Sequence, residues 1–201
     1  MFGPDGAGKT TLAREVASRL GCRVVWFRGT HTLASMLARF LRLFRVFRGG
    51  DNPYYGLRLP SGMRGLWALI ELISVIPHIL VKLELMPRVC RCVVAERSVP
   101  DFIAWVVTTL RWPEYLRSVA TSFLVRLAVR ADVLAYVTAP LETLTARRPE
   151  SADLIARQLP VYNAIARLLN PLTLNTECSG VAELASHVAK LAMQGGVTQY
   201  I

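Results

Sequence analysis

Gly3-Pro4-Asp5-Gly6-Ala7-Gly8-Lys9-Thr10-Thr11 has the spacing G-x-x-x-x-G-K-[ST], and it begins only two residues into the chain. Glycines at these places let successive backbone N–H groups turn inward around a polyphosphate. Lys9 is placed to reach the outer phosphates, and the Thr10 hydroxyl is an oxygen ligand suited to Mg²⁺. The stretch that follows, TLAREVASRL, opens a helix whose N-terminal dipole favours the same anion. A loop of this kind sits between a parallel strand and a helix, which restricts the chain to an α/β fold. Met1 and Phe2 are too few for a core strand of about five residues. The expectation is a late start, with the first strand largely missing.

The rest of the chain alternates strand and helix signals. Strands are predicted at 23–27, 89–95, 131–138 and 172–175. Helices are predicted at 32–47, 63–86, 101–110, 113–128, 152–169 and 180–193, with Pro140 opening another. Residues 48–62 are rich in turn formers and read as a loop. Alternation of this sort predicts a parallel sheet covered on both faces, a three-layer arrangement. The 201 residues make one domain. In such sheets ligands gather at the carboxyl ends of strands. That rule selects the loop at 3–10, Arg28 with its neighbours, Glu96-Arg97-Ser98, and the segment after Asn175.

Composition limits the surroundings. Mean hydropathy is +0.36, and the stretch 66–86 is long enough to raise the question of a membrane span. It carries Glu71, His78, Lys82 and Glu84 and is interrupted by Pro77. Four ionisable groups are costly in lipid, so a buried, kinked helix is expected and no transmembrane span. The net charge of +10 comes almost wholly from arginine, with Lys9, Lys82 and Lys190 the only lysines. Arg39, Arg42, Arg45 and Arg48 drift around their helix and read as a solvated surface. Without an aromatic-plus-basic recognition motif, the charge does not indicate nucleic acid. Cys22, Cys90, Cys92 and Cys178 form no zinc or thioredoxin pattern. Buried reduced thiols in a cytoplasmic protein are expected, with Cys90 and Cys92 on one face of a strand.

The chain resembles a nucleoside-monophosphate kinase of the P-loop type, most closely a thymidylate kinase. GPDGAGKTT is similar to that family's G-x-D-G-x-G-K-T-T loop. VLAYVTAPLETLTARR resembles the strand, proline and arginine-ended helix leading into its lid, and LTLNTECSGVAELASHV resembles its last strand and helix. The resemblance implies ATP and Mg²⁺ as cofactors and a nucleoside monophosphate, with dTMP favoured, as acceptor. Gly3, Asp5, Gly6, Ala7, Gly8, Lys9, Thr10 and Thr11 would then hold the nucleotide, and Thr10 with Glu96 the metal. Asp5 would lie beside the acceptor, Arg28 would grip its phosphate, and Arg97 would sit by the transferring phosphoryl. Arg147 and Arg148 would close over ATP from a lid at 147–157. A homodimer is also implied, with the apolar helix at 66–86 as its interface. Glu96 stands where the family has aspartate, and Ser98 where thymidylate kinases commonly have an aromatic residue.

Two other readings fit the residues. Glu96-Arg97-Ser98 also resembles the Glu-Arg-Ser motif of deoxynucleoside kinases. A nucleoside acceptor needs a carboxylate base near the end of the second strand, where Arg28 stands instead. The other rival is a nucleotide-binding module without catalysis.

Overall fold

The computed structural model describes residues 1–27, 33–49 and 55–194. In chain order the strands are β1 (Arg23–Val25), β2 (Val93–Ala95), β3 (Ala135–Thr138) and β4 (Leu172–Asn175). The helices are α1 (Lys9–Leu20), α2 (Leu33–Leu41), α3 (Arg64–His78), α4 (Met86–Val89), α5 (Val99–Leu110), α6 (Val119–Ala128), α7 (Leu141–Arg147), α8 (Ala152–Leu169) and α9 (Val181–Gln194). β1 pairs parallel with β2, and β3 pairs parallel with β4. Met1 and Phe2 join the two pairs. The Met1 nitrogen donates to the Ala95 carbonyl at 2.9 Å. Phe2 bridges Tyr136 in parallel, its N–H donating to Ala135 and its carbonyl accepting from Val137, each at 2.9 Å. Two residues thus stand in the central strand position, and the order across the sheet is β1, β2, Phe2, β3, β4.

Alternation along β3 divides the core into two layers. Ala135 and Val137 face α1, α7 and α9, with Leu12, Val16, Leu144, Leu184 and Val188. Tyr136 faces the opposite way, among Phe2, Phe102, Ile103, Tyr162 and Ile165. Phe2 is fully buried, and its ring stacks on Tyr136 at 5.1 Å between centroids. This side is the thicker one and takes in α2, α3, α5, α6 and part of α8. The result is the three-layer parallel fold of P-loop nucleotide kinases.

Several elements differ from the sequence expectation. β1 ends at Val25 and β2 begins only at Val93, because the preceding helix runs on to Val89 and a turn at 90–92 follows. Cys90 and Cys92 are therefore not strand neighbours. Cys22 and Cys92 form a disulfide, Cys90 is half-buried and Cys178 exposed. The expectation of buried reduced thiols is corrected by this pairing. It joins the starts of β1 and β2, where the Arg23 N–H donates to the Cys92 carbonyl at 3.1 Å.

The apolar helix also departs from expectation. It is continuous from Ser61 to Val89, 29 residues, with a π-helical stretch at Ile79–Leu85 just after Pro77. Pro77 has no N–H for the carbonyl four residues back, so the regular ladder loosens there. Length and composition would allow this helix to cross a membrane, but only a third of its most apolar window is buried in the fold. One face is inside, with Trp67, Ala68, Glu71, Ser74 and Val75. Leu66, Leu69, Ile73, Ile76 and Leu80 point outward. The helix is half-covered, not buried.

Glu71 is 1% exposed and accepts a hydrogen bond from Trp67 Nε1 at 3.1 Å. Burial pushes its carboxyl up to about 7, against the lowering effect of that hydrogen bond. An acid raised in the folded state stabilises the fold less as pH climbs from its unfolded value through its folded one. The cost is absent below about pH 4 and complete above about pH 7, where it reaches about 3 kcal/mol. Glu71→Gln should therefore gain most of that stability at pH 8 and almost none at pH 4, as read by urea denaturation at both. An equal gain at the two pH values would show that titration of Glu71 is not the cause.

Candidate functional site

Gly3 has φ of 148°, and a Cβ there would lie 2.0 Å from the Val137 carbonyl oxygen. Only glycine fits, and the phosphate loop is thereby seated directly on β3. Gly6, at φ 81°, is pressed in the same way against the Leu144 carbonyl of α7. Gly8, also left-handed, starts α1. The loop therefore curls over the carboxyl ends of the strands with its N–H groups at a helix N-terminus, an arrangement that binds anions.

Lys9 is 5% exposed, and its ammonium donates to the Pro4 carbonyl at 2.6 Å. Burial, with Arg97 close by, lowers its pKa to about 8 against the pull of Asp101, Asp5 and Glu96. The next residue, Thr10, donates its hydroxyl to Glu96 Oε1 although 86 residues separate the two. A hydroxyl and a carboxylate brought together beside a phosphate loop are hard oxygen ligands of the kind Mg²⁺ takes. The residues present fit the ion.

Arg97 is the hub of the site. Its guanidinium bonds Asp5 in the loop and lies 3.7 Å from Asp101 at the start of α5. Burial works against its charge, yet Asp101 and Asp5 hold it protonated, above the ordinary arginine range. Burial likewise pushes Asp5 upward, but Arg97 and Lys9 more than offset this and keep its carboxyl below the usual value. Asp101 does more than cap its helix. It accepts from the Ser98 N–H at 2.9 Å, the Gly3 N–H at 3.3 Å and the Tyr162 hydroxyl at 3.0 Å. One carboxylate thus fixes β2's end, the phosphate loop and α8 together.

Arg147, at the end of α7, donates to the Gly6 carbonyl at 3.2 Å and to Thr176 Oγ1 at 2.9 Å. Arg148 pairs with Glu150 at 3.2 Å and is largely exposed. Asp5, Lys9, Thr10, Glu96, Arg97, Arg147 and Arg148 line one cleft of about 500 Å³, together with Thr11, Trp26 and Ser151. Its charged walls are Asp5, Glu96, Lys9, Arg97, Arg147 and Arg148, a net positive set that suits a polyphosphate.

Of the residues expected from the sequence, Asp5, Gly6, Gly8, Lys9, Thr10, Thr11, Glu96, Arg97, Arg147 and Arg148 meet in this cleft. Ala7 is buried beneath the loop. Arg28 lies outside the described residues. Sequence reasoning missed Tyr162 and Trp26, which carry no motif. Thr176 follows Asn175, where the strand-end rule pointed, but its grip on Arg147 was not foreseen.

Residues 1–56 match the family described as "ATPase family associated with various cellular activities (AAA)". The fold is similar to that of a deoxyadenosine kinase from M. mycoides, solved with bound dCTP. The TM-score is 0.54 at 13% sequence identity, over 94% of this chain and 96% of that one. No curated protein sequence matches the chain.

Proposed function

We propose that the protein transfers the γ-phosphoryl group of ATP to a nucleoside monophosphate. The observation that carries this reading is the convergence of Lys9, the Thr10–Glu96 pair, Arg97, Arg147 and Arg148 on one polar cleft. Phosphoryl transfer is chiefly a matter of positioning and of neutralising spread negative charge, and this cleft offers cations from three separate chain segments. An oxygen of the acceptor phosphate attacks the γ-phosphorus, and the bond from that phosphorus to ADP breaks. The chemistry that Mg²⁺ would supply when bound is neutralisation of the charge developing on the phosphates. Thr10 and Glu96 are the residues to hold it.

The chain's own groups divide the work. The loop amides and Lys9 hold the donor phosphates. Arg97, kept rigid by Asp5 and Asp101, stabilises charge on the group in transfer. Arg147 and Arg148, at the start of a lid over 147–157, neutralise the donor side. On this reading Arg28 grips the acceptor phosphate. dTMP is the acceptor that the resemblance to thymidylate kinases names.

A deoxynucleoside acceptor is the second reading. Glu96-Arg97-Ser98 and the likeness to a deoxyadenosine kinase fold support it. ADP release from ATP and Mg²⁺, measured against a panel of nucleoside monophosphates and nucleosides, separates the two. We expect acceptor-dependent ADP with at least one monophosphate. ADP only with nucleosides would select the second reading. No acceptor-dependent ADP at all would leave a nucleotide-binding module.

A further inference from the structure

We propose that the outer face of α2 and the turn after it dock on a bilayer bearing anionic lipid. The inner side of α2 is made of small residues. Ala34 and Ala38 are buried, and the Ala34 N–H donates to Ser74 Oγ of α3 at 3.0 Å. The large apolar residues are on the other side. Leu33, Met36 and Phe40 recur at three- and four-residue steps and form one outward stripe on α2, and the exposed Phe44, in the turn after it, sets its ring against that of Phe40 at 5.6 Å between centroids. Met36 is 72% exposed, Leu43 68% and Val46 74%. A helix stabilised only by core packing has this pattern reversed. α3, on which α2 packs, adds the exposed row Leu66, Leu69, Ile73, Ile76 and Leu80. Exposed large apolar side chains in this number mark an interaction site.

Charge decides between the occupants. Arg39, Arg42, Arg45 and Arg48 are all exposed among these apolar residues. By helical geometry Arg39 falls on the flank between the outward stripe and the buried alanines, and Arg42 follows directly after the last residue of α2. Arg48 is turned back onto the backbone, donating to the Arg42 and Leu43 carbonyls. No acidic residue occurs anywhere from 16 to 50. Two copies meeting through this face would bring two arginine sets together with no carboxylate from either segment between them. An anionic headgroup layer instead neutralises the arginines, while their stems and the large apolar side chains enter the acyl boundary. Phe and Leu on one side with arginine alongside is the composition of a helix that lies in the membrane interface.

The test is co-sedimentation of the full chain with vesicles of phosphatidylcholine alone or mixed with phosphatidylglycerol. Binding is expected to the mixed vesicles and not to the neutral ones, weakening as salt rises from about 0.1 M to about 1 M. The double change Met36→Asp and Phe40→Asp should abolish it. Arg39→Gln with Arg42→Gln, confined to exposed charges and harmless to folding, should weaken partitioning about 30-fold. Light scattering on the same proteins completes the comparison. Failure of the unaltered chain to bind mixed vesicles, or binding unaffected by either pair of changes, overturns the proposal. So does a dimer that Met36→Asp and Phe40→Asp convert to monomer, which assigns the face to a second copy.

Discussion

Lys9→Ala should lower ATP-dependent phosphoryl transfer by about a thousandfold, the loss expected when a principal charge on the transferring phosphates is removed. The reason lies in how the ammonium is held. It is 5% exposed, bonded to Pro4 within its own loop, and within the field of Asp5, Glu96, Asp101 and Arg97. In such a setting a cation interacts with phosphate at low effective dielectric, where each contact is worth far more than in water. Neighbouring arginines cannot move in to replace it. Arg97 is tied to Asp5 and Asp101, and Arg147 to Gly6 and Thr176. Alanine also removes a buried charge that burial disfavours, so the fold should not suffer in proportion. ADP release with the best acceptor from the panel measures the loss, and thermal melting of the same variant shows that the chain remains folded. Turnover within about tenfold of the unaltered protein would remove Lys9 from the mechanism.

Much of this site could be read from the sequence because its parts are local or fall at strand ends. The phosphate loop is one contiguous motif, and the glycine requirement at Gly3 and Gly6 is met in the structure by direct contact with β3 and α7. Helix α8 and strand β4 fall at the expected residues, since turn formers bound both. Glu96 and Arg97 follow β2 directly, so an error of four residues in where that strand begins does not move them. Contacts between distant segments were not legible. Tyr162 reaches Asp101 across 61 residues, and in sequence it is one more aromatic on an apolar helix face. The exposure of the long apolar helix is hidden from the sequence for a related reason. Hydropathy says how apolar a helix is, but which side its neighbours cover depends on where α2 and α5 pack. Cys22 and Cys92 are 70 residues apart with no spacing pattern, and only the pairing of β1 with β2 brings them side by side.

Loss of that disulfide is expected to destabilise the fold by about 4 kcal/mol while leaving the phosphate site intact. The Cα atoms of Cys22 and Cys92 lie 4.7 Å apart, within the span a disulfide bridges without backbone movement. The bond closes a 70-residue loop, and in the chain-entropy treatment a loop of that length confines the unfolded chain by about 4 kcal/mol. Its position makes the contribution specific. β1 and β2 are each three residues long and pair with each other at the sheet's edge. A two-stranded pairing this short is weak on its own. The disulfide clamps it at the end remote from Glu96 and Arg97. Denaturant titration with and without reductant, alongside the double variant Cys22→Ser with Cys92→Ser, should give matching losses and a fall in melting temperature of roughly 10 °C. Nucleotide affinity below the lowered transition should be unchanged. Equal stability in both states, or four titratable thiols in the native protein under oxidising conditions, would show that the strands hold together without the bond.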